Sequence, residues 1–453
     1  MVDARTRQFL EWDRSHIVHP LFPLDGQLPG IVFEKADGIM LVDTEGKEYI
    51  DIASQLTCCN LGHRPRAIIE AISSALSKTD YTEAYWGYSN PYSSQCAHKL
   101  AEITLGDLKH FFFTSGGAEA NEFAIRFARL YWHAKGRPEK FKIISLYNSY
   151  HGSAGLSASA TGISRIYSTG QGPQAAGFVK VPPAYCYRCP FSLSYPRCGV
   201  LCAQYLGYVI DNEDPNTVAA FIGEPIQGGG GIIDPPPEYW PMVRKICSDH
   251  GVLLIADEVQ SGFCRTGRMW ALEHCDIVPD MMSMSKGIAG SVVPFGAVAI
   301  GHELFEAMKG QTVPGGYTFG GHPISCAASV AAVDIYVRNK VAENAARVGK
   351  HIKERLDAEF SPLPIVGNIR GKGLFLAAEL VSDRKTKKPI SPEVRKELTL
   401  RLLEAGIVTR GGGYMNSLLY ITPPCTITTE EADRALDIIK PIVMALGTQK
   451  QRG

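Results

Sequence analysis

Apolar positions along the chain fall into two kinds of pattern. Through the middle, short runs without polar alternation recur at Lys142–Leu146 (KIISL), Ala219–Gly223 (AAFIG), Val252–Ala256 (VLLIA), Met281–Met284 and Ala297–Ile300 (AVAI). Such runs read as strands covered on both faces, the condition of a buried and mostly parallel sheet. Between two of them Tyr239, Met242, Val243, Ile246, Cys247 and His250 recur at helical spacing, with Gly251 as a stop. This alternation predicts an α/β fold.

The two ends read differently. Residues 31–52 (IVFEKADGIMLVDTEGKEYIDI) carry two strand-like pieces around Asp-Thr-Glu-Gly, a hairpin pattern. From about Ser329, amphipathic helices lead to GKGLFLAAEL (371–380), LLYITPP (418–424) and a last helix after Thr428. We expect residues 1–65 and 329–453 to build a smaller α+β domain beside a large domain over residues 66–328.

Composition narrows the function. With 453 residues, 45% hydrophobic and 20% charged, the chain has the make-up of a soluble globular protein. Lys plus Arg and Asp plus Glu both total 46, so the formal charge is zero and no basic tract offers a nucleic-acid footprint. No apolar run approaches bilayer length, and the opening MVDARTRQFLEWDR lacks the apolar core of a secretion signal. A cytoplasmic location is expected, with most of the twelve cysteines free.

Three stretches carry chemistry. FFFTSGGAEANEFAIRFAR (111–129) is a strand, a small-residue turn and a helix. Ser115, Gly116 and Gly117 leave bare N–H groups at the helix start, where the dipole favours an anion such as a phosphate, although a plain tight turn fits as well. In LLIADEVQSGFCRTG (253–267), Asp257 and Glu258 follow a buried strand, and an ionised carboxylate there needs a partner. A cap, an interdomain salt bridge or the protonated ring nitrogen of a cofactor each meets that need. PDMMSMSKGIAG (279–290) ends a third strand on Lys286. A lysine held dry near another cation loses its proton and becomes an amine nucleophile. The aldehyde that suits it is pyridoxal phosphate, whose chemistry needs a lysine for its carbonyl carbon and a carboxylate for its ring nitrogen.

Taken together, SGGAEANEFAIRFAR, YHG, EPIQGGGG, DEVQSGFCRTG, SMSKG and TFGGHP, running from about Trp12 to the last helix, resemble the class III (ω) aminotransferases, fold type I pyridoxal-phosphate enzymes. The resemblance implies that Lys286 binds the cofactor as a Schiff base, Asp257 pairs with the pyridine nitrogen, Val259 packs under the ring and Tyr150 stacks on its other face. It also implies that Ser115, Gly116 and Gly117 take the phosphate and that Gln260 sits near the phenolic oxygen. His151 and Glu224 join the cofactor side of the cleft. Thr318 would reach the phosphate from a neighbouring subunit, so a homodimer or dimer of dimers is implied. The substrates would be a small amine donor and a keto acid acceptor, pyruvate, in ping-pong order.

For the substrate, a keto acid needs a carboxylate binder, usually a bidentate arginine. Arg410, in GIVTRGGGYMNS, resembles the mobile arginine of amine and ω-amino acid:pyruvate aminotransferases, and the glycines after it allow movement. Leu56, Thr57, Tyr85 and Trp86 are the expected pocket wall. Relatives acting on 4-aminobutyrate or dialkylglycine often carry an arginine where this chain has Tyr420, which weighs against a decarboxylating aminotransferase. An amino acid epimerase of the same family shares every cofactor residue and stays open.

One segment lies outside that pattern. CYRCPFSLSYPRCGVLC (186–202) holds Cys186, Cys189, Cys198 and Cys202 at a spacing that suits a structural four-thiolate zinc site, with two local disulfides or free thiols as alternatives.

Overall fold

The computed structural model of the chain describes residues 2–24, 30–163, 169–413 and 416–449. Near the N-terminus β1 (Phe33–Asp37), β2 (Met40–Asp43) and β3 (Glu48–Asp51) form an antiparallel meander. The sequence pattern predicted one hairpin here, and Asp43 makes it: its Oδ1 accepts from the N–H groups of Glu45 and Lys47 at 3.0 and 2.9 Å. The additional strand β1 pairs across the turn at Gly38, whose φ of 53° suits a glycine.

The central sheet holds β4 (Leu108–Thr114), β5 (Lys142–Leu146), β6 (Phe178–Val181), β7 (Val218–Gly223), β8 (Leu253–Asp257), β9 (Met281–Met284) and β10 (Gly296–Gly301). Their order in space is β4-β10-β9-β8-β7-β5-β6. The five strands from β9 to β6 are parallel, while β10 runs antiparallel to both β9 and β4. Every residue of β7 to β10 is buried, because helices cover both faces. The helix Gly117–Ala134 packs Phe123, Ala124 and Phe127 on the face showing Ile143, Ile222 and Ile255. The helices Leu201–Asn212 and Tyr239–Asp249 pack Leu206, Trp240 and Val243 on the face showing Ile144, Phe221 and Leu254. The expected strand at 252–256 starts one residue later, since the Val252 N–H closes the preceding helix on the Cys247 carbonyl at 2.8 Å.

The C-terminal part forms a second antiparallel sheet of β11 (Val366–Lys372), β12 (Phe375–Asp383) and β13 (Lys388–Pro389). The short β14 (Ile407–Val408) runs parallel to β3 and so joins the two chain ends in one sheet. β15 (Leu418–Ile421) pairs with β12. No helix among the described residues is long and apolar enough to cross a membrane.

The zinc site expected at Cys186, Cys189, Cys198 and Cys202 is not formed. Among the described residues no three His, Cys, Asp or Glu side chains are grouped to hold a metal, and the four thiols are free. Cys186 stands open to solvent on a single 3-10 turn, while Cys202 is drawn into the first turn of the helix Leu201–Asn212. Burial raises both thiols, that of Cys202 to about 11.

Candidate active site

The C-terminal ends of four parallel strands converge on one cleft, the edge where open α/β sheets bind ligands. The loop after β5 brings Tyr150 and His151, β7 leads into Glu224, β8 ends on Asp257, and β9 leads into Lys286. Asp257 is 3% exposed and firmly held. Its Oδ2 accepts from Asn121 Nδ2 and from His151 Nδ1, both at 2.7 Å, and its Oδ1 accepts from the Val259 N–H at 3.1 Å. Three donors hold this carboxylate fixed in a nearly dry place. With Nδ1 as donor, the other ring nitrogen of His151 is buried and unpartnered.

Glu258, the neighbouring carboxylate, turns the other way. It accepts from Ser261 Oγ at 2.5 Å and from the Leu272 N–H at 2.9 Å, so its work is structural. Of the two adjacent acids, Asp257 alone belongs to the cleft with Lys286.

Lys286 sits at the sharp exit of β9. Its φ of 48° is left-handed, a conformation that costs a side-chain-bearing residue about 1 kcal/mol. Neighbouring bonds hold it there: the Ser291 N–H and Oγ both reach the Lys286 carbonyl at 3.2 Å, and Tyr336 donates to the Gly287 carbonyl at 2.8 Å. Lys286 Nζ donates to the Leu56 carbonyl at 3.1 Å. Burial lowers its ammonium to about 8, helped by the charge of Arg410 and opposed by Cys58, Asp257 and Glu224. Glu224 accepts from the N–H groups of Tyr150 and Gly228 at 2.9 and 2.8 Å. Burial first, and the charge of Asp257 second, push its carboxyl up to about 8.

The small-residue turn lies beside these groups. Gly117 opens the helix Gly117–Ala134, whose first-turn N–H groups fall outside the intrahelical ladder. A Cβ on Gly117 would lie 2.8 Å from Val259 Cγ1, so the turn packs directly on the residue after the acidic pair. Glu119 takes the Ser115 N–H at 2.8 Å, which leaves the Ser115 hydroxyl and the two glycines for a ligand. Gln260 ends in a buried, unpartnered Oε1.

Arg410 follows β14 and lies with its Cζ 4.2 Å above the Tyr420 ring. Among the described residues its Nε and Nη2 are buried without a partner. Tyr420 is itself anchored, donating to the Gly228 carbonyl at 3.1 Å. Of the expected pocket wall, Leu56 is 67% exposed, and Thr57 is fully buried with its hydroxyl 3.4 Å from that of Thr422, behind the surface rather than on it. Tyr85 and Trp86 line a separate cavity of about 500 Å³ with Phe111, Phe113 and Tyr317, which includes neither Lys286 nor Arg410. Thr318 is exposed nearby and accepts from Tyr81 at 2.8 Å through its carbonyl.

The family description "Aminotransferase class-III" matches residues 24–443. The chain is 33% identical over 417 residues to the diaminobutyrate–2-oxoglutarate transaminase of Halomonas elongata, covering 90% of this chain and 89% of that protein. It is 30% identical over 445 residues to the putrescine–pyruvate aminotransferase of Pseudomonas aeruginosa, covering 97% and 96%. The crystal structure of a thermostable (S)-enantioselective ω-transaminase from Thermomicrobium roseum superposes with a TM-score of 0.92 at 34% identity, covering 98% of this chain and 99% of that one. The chain belongs to the class-III aminotransferases.

Pyridoxal phosphate is the cofactor expected of this family, and the residues of this aminotransferase fit it. A fixed carboxylate, an amine lowered toward neutrality, a glycine-lined helix start and the orphaned polar atoms of Gln260 and His151 are the donors and acceptors such a group needs. Sequence reading missed Asn121, which clamps Asp257 and also donates to the His151 carbonyl at 2.9 Å. A signal was present: an amide between Ala120 and Phe123 on the buried face of a helix requires a polar partner.

Proposed function

We propose that this aminotransferase takes its amino group from an amine or ω-amino acid and passes it to pyruvate, in two half-reactions of ping-pong order. The observation that carries the reading is Arg410, whose buried Nε and Nη2 have no partner among the described residues while its charge acts on Lys286. A buried guanidinium with open donors is costly alone and favourable once a carboxylate pairs with it. The Tyr420 ring beneath it gives that arginine an apolar rest when an uncharged amine is bound. One relative is named for pyruvate.

Bound pyridoxal phosphate would supply the carbonyl carbon that takes the amino group and the ring that takes up an electron pair. Asp257 holds a proton at the ring nitrogen, with Asn121 and His151 fixing its orientation. Lys286 Nζ, uncharged in part near pH 8, removes the proton from the amine-bearing carbon and delivers it again in the reverse direction. Ser115, Gly116 and Gly117 would hold the phosphate, Val259 and Tyr150 would contact the ring, and Gln260 and Glu224 would meet its polar groups. We further assign a homodimer in which Thr318 and the aromatic segment of Tyr85 and Trp86 complete the partner's site. The free cysteines suit a reducing, cytoplasmic setting.

The test is alanine formation from pyruvate with single amine donors. Arg410→Gln should raise KM for pyruvate about 10- to 100-fold, the loss of a charge-assisted pair, with kcat/KM for an uncharged arylalkylamine nearly unchanged. Equal losses for both substrates, or racemised amino acid without alanine, would overturn the reading.

A further inference from the structure

The segment between β3 and the helix Arg66–Leu76 is costly to fold. Ser54, Gln55 and Thr57 hold φ of 48°, 56° and 57°, so three of four successive residues are left-handed without being glycine. Gln55 adds a ψ of -110°, a conformation that favours glycine. Leu56, among them, stands exposed. What the segment achieves is the aim of one group: the Leu56 carbonyl accepts from Lys286 Nζ at 3.1 Å. Backbone strain of this kind persists where the surroundings over-determine the chain, and it gathers at functional sites.

Asp51 imposes that shape. It ends β3 opposite Val408 of β14 and is fully buried. Its Oδ1 accepts from the Ala53 and Gln55 N–H groups at 3.1 and 3.2 Å. Its Oδ2 accepts from the Gln55 N–H and from Gln55 Nε2, both at 3.0 Å, and His63 Nε2 also lies 3.0 Å away. The rest of the segment is pinned as well: Ser54 Oγ donates to the Thr422 carbonyl at 2.8 Å, and Thr422 Oγ1 donates to that of Ala53 at 3.0 Å. Ser291 Oγ lies 2.8 Å from the Cys58 carbonyl and 3.2 Å from that of Lys286. The backbone of the lysine and its amine are therefore tied to the same short stretch.

We propose that Asp51 is a positioning residue for Lys286: by holding residues 53–58 in this shape it aims the Leu56 carbonyl at Nζ and keeps the lysine in one place whenever its amine is free. The carbonyl accepts an N–H from either protonation form, and more strongly from the ammonium, because that bond is charge-assisted. Of the charges that act on Nζ, Arg410, Asp257 and Glu224 stand on other loops, while Cys58 belongs to the segment itself and favours the ammonium. Loosening the segment withdraws both the carbonyl and Cys58, so both losses favour the neutral amine. The role assigned to Asp51 rests on Lys286 being the lysine that serves the cofactor.

Enzyme loaded with pyridoxamine phosphate has its site filled and Lys286 free. Trace labelling with acetic anhydride between about pH 6 and pH 10, read by peptide mass, gives the inflection of Lys286. We expect Asp51→Asn to lower it by about half a unit to one unit, the share of a charge-assisted bond that the neutral amine does not enjoy. Gln55→Pro, which cannot hold a positive φ and brings no N–H, should shift it the same way with Asp51 intact, and it decides the matter if Asp51→Asn fails to fold. Gln55→Gly takes up the shape unaided. Alone it should leave the inflection in place, and added to Asp51→Asn it should restore most of the shift, a rescue that general destabilisation does not give. An unchanged or raised inflection in Asp51→Asn or Gln55→Pro, or no rescue by glycine, would overturn the assignment. Single-turnover bleaching of the pyridoxal form by L-alanine should slow about tenfold at saturation in Asp51→Asn, with the half-saturating concentration changed less than about threefold. A change in half-saturation alone would break the tie to the reaction. Borohydride reduction of wild type separates the two readings: pyridoxal phosphate fixed on another lysine refutes the role of Lys286, whereas cofactor on Lys286 with an unmoved inflection refutes that of Asp51.

Discussion

At the scale of single residues, the cleft depends on how two charges are held. Asp257 is fixed by Asn121 and His151 at 2.7 Å, so Asn121→Ala removes one charge-assisted donor from a nearly dry carboxylate. We expect the dissociation constant for pyridoxal phosphate to rise about tenfold or more, read by absorbance titration of the apoprotein. Lys286 is depressed to about 8, which is below the ordinary lysine value, so its free amine becomes available at lower pH than usual. The rate of cofactor loading should therefore climb between pH 7 and 9 and level above that. Arg410→Gln removes a like charge, raises the lysine and moves the inflection upward. A loading rate flat across that range would contradict the buried-amine account.

At the scale of elements, the strands of the central sheet were legible because burial on both faces leaves an unalternated apolar run that nothing else explains as well. Lys142–Leu146 and Met281–Met284 coincide with β5 and β9, and the others shift at their ends by a residue or two. The role of Glu379 was not legible. It looks like one charged residue in the apolar run GLFLAAEL, yet it is fully buried and receives Arg370, Arg188 and Tyr185 from three directions. Arg370→Met should leave that carboxylate under-compensated and lower stability by about 3 kcal/mol, seen as an earlier urea midpoint. A midpoint within error of wild type would show the pairing to be dispensable.

At the scale of the whole molecule, aromatic side chains stand exposed beside Thr318. Trp86 is 78% exposed and Phe319 57%. The proposed homodimer covers them, and shared sites make a sharp prediction. Lys286→Ala and Thr318→Ala subunits, each impaired alone at limiting cofactor, should recover up to about a quarter of wild-type activity when mixed and reassembled, since one site in each mixed dimer is whole. No recovery, with mixed dimers verified by mass, would place both residues in the same chain's site.

The sequence alone determined the fold class and the order of the motifs, and it singled out Lys286, Asp257 and the glycine turn as candidates. Each of these is a local demand: a buried strand needs an unbroken apolar run, and a helix start that meets an anion needs small residues. Tertiary structure decided which of two adjacent acids faces the cleft, that Asn121 clamps it, and that Arg410 lies over the Tyr420 ring. It also decided that four cysteines with zinc-like spacing stay free thiols. Those outcomes depend on distances between segments far apart in the chain, and spacing along a sequence carries no record of them until the strands have brought their ends together.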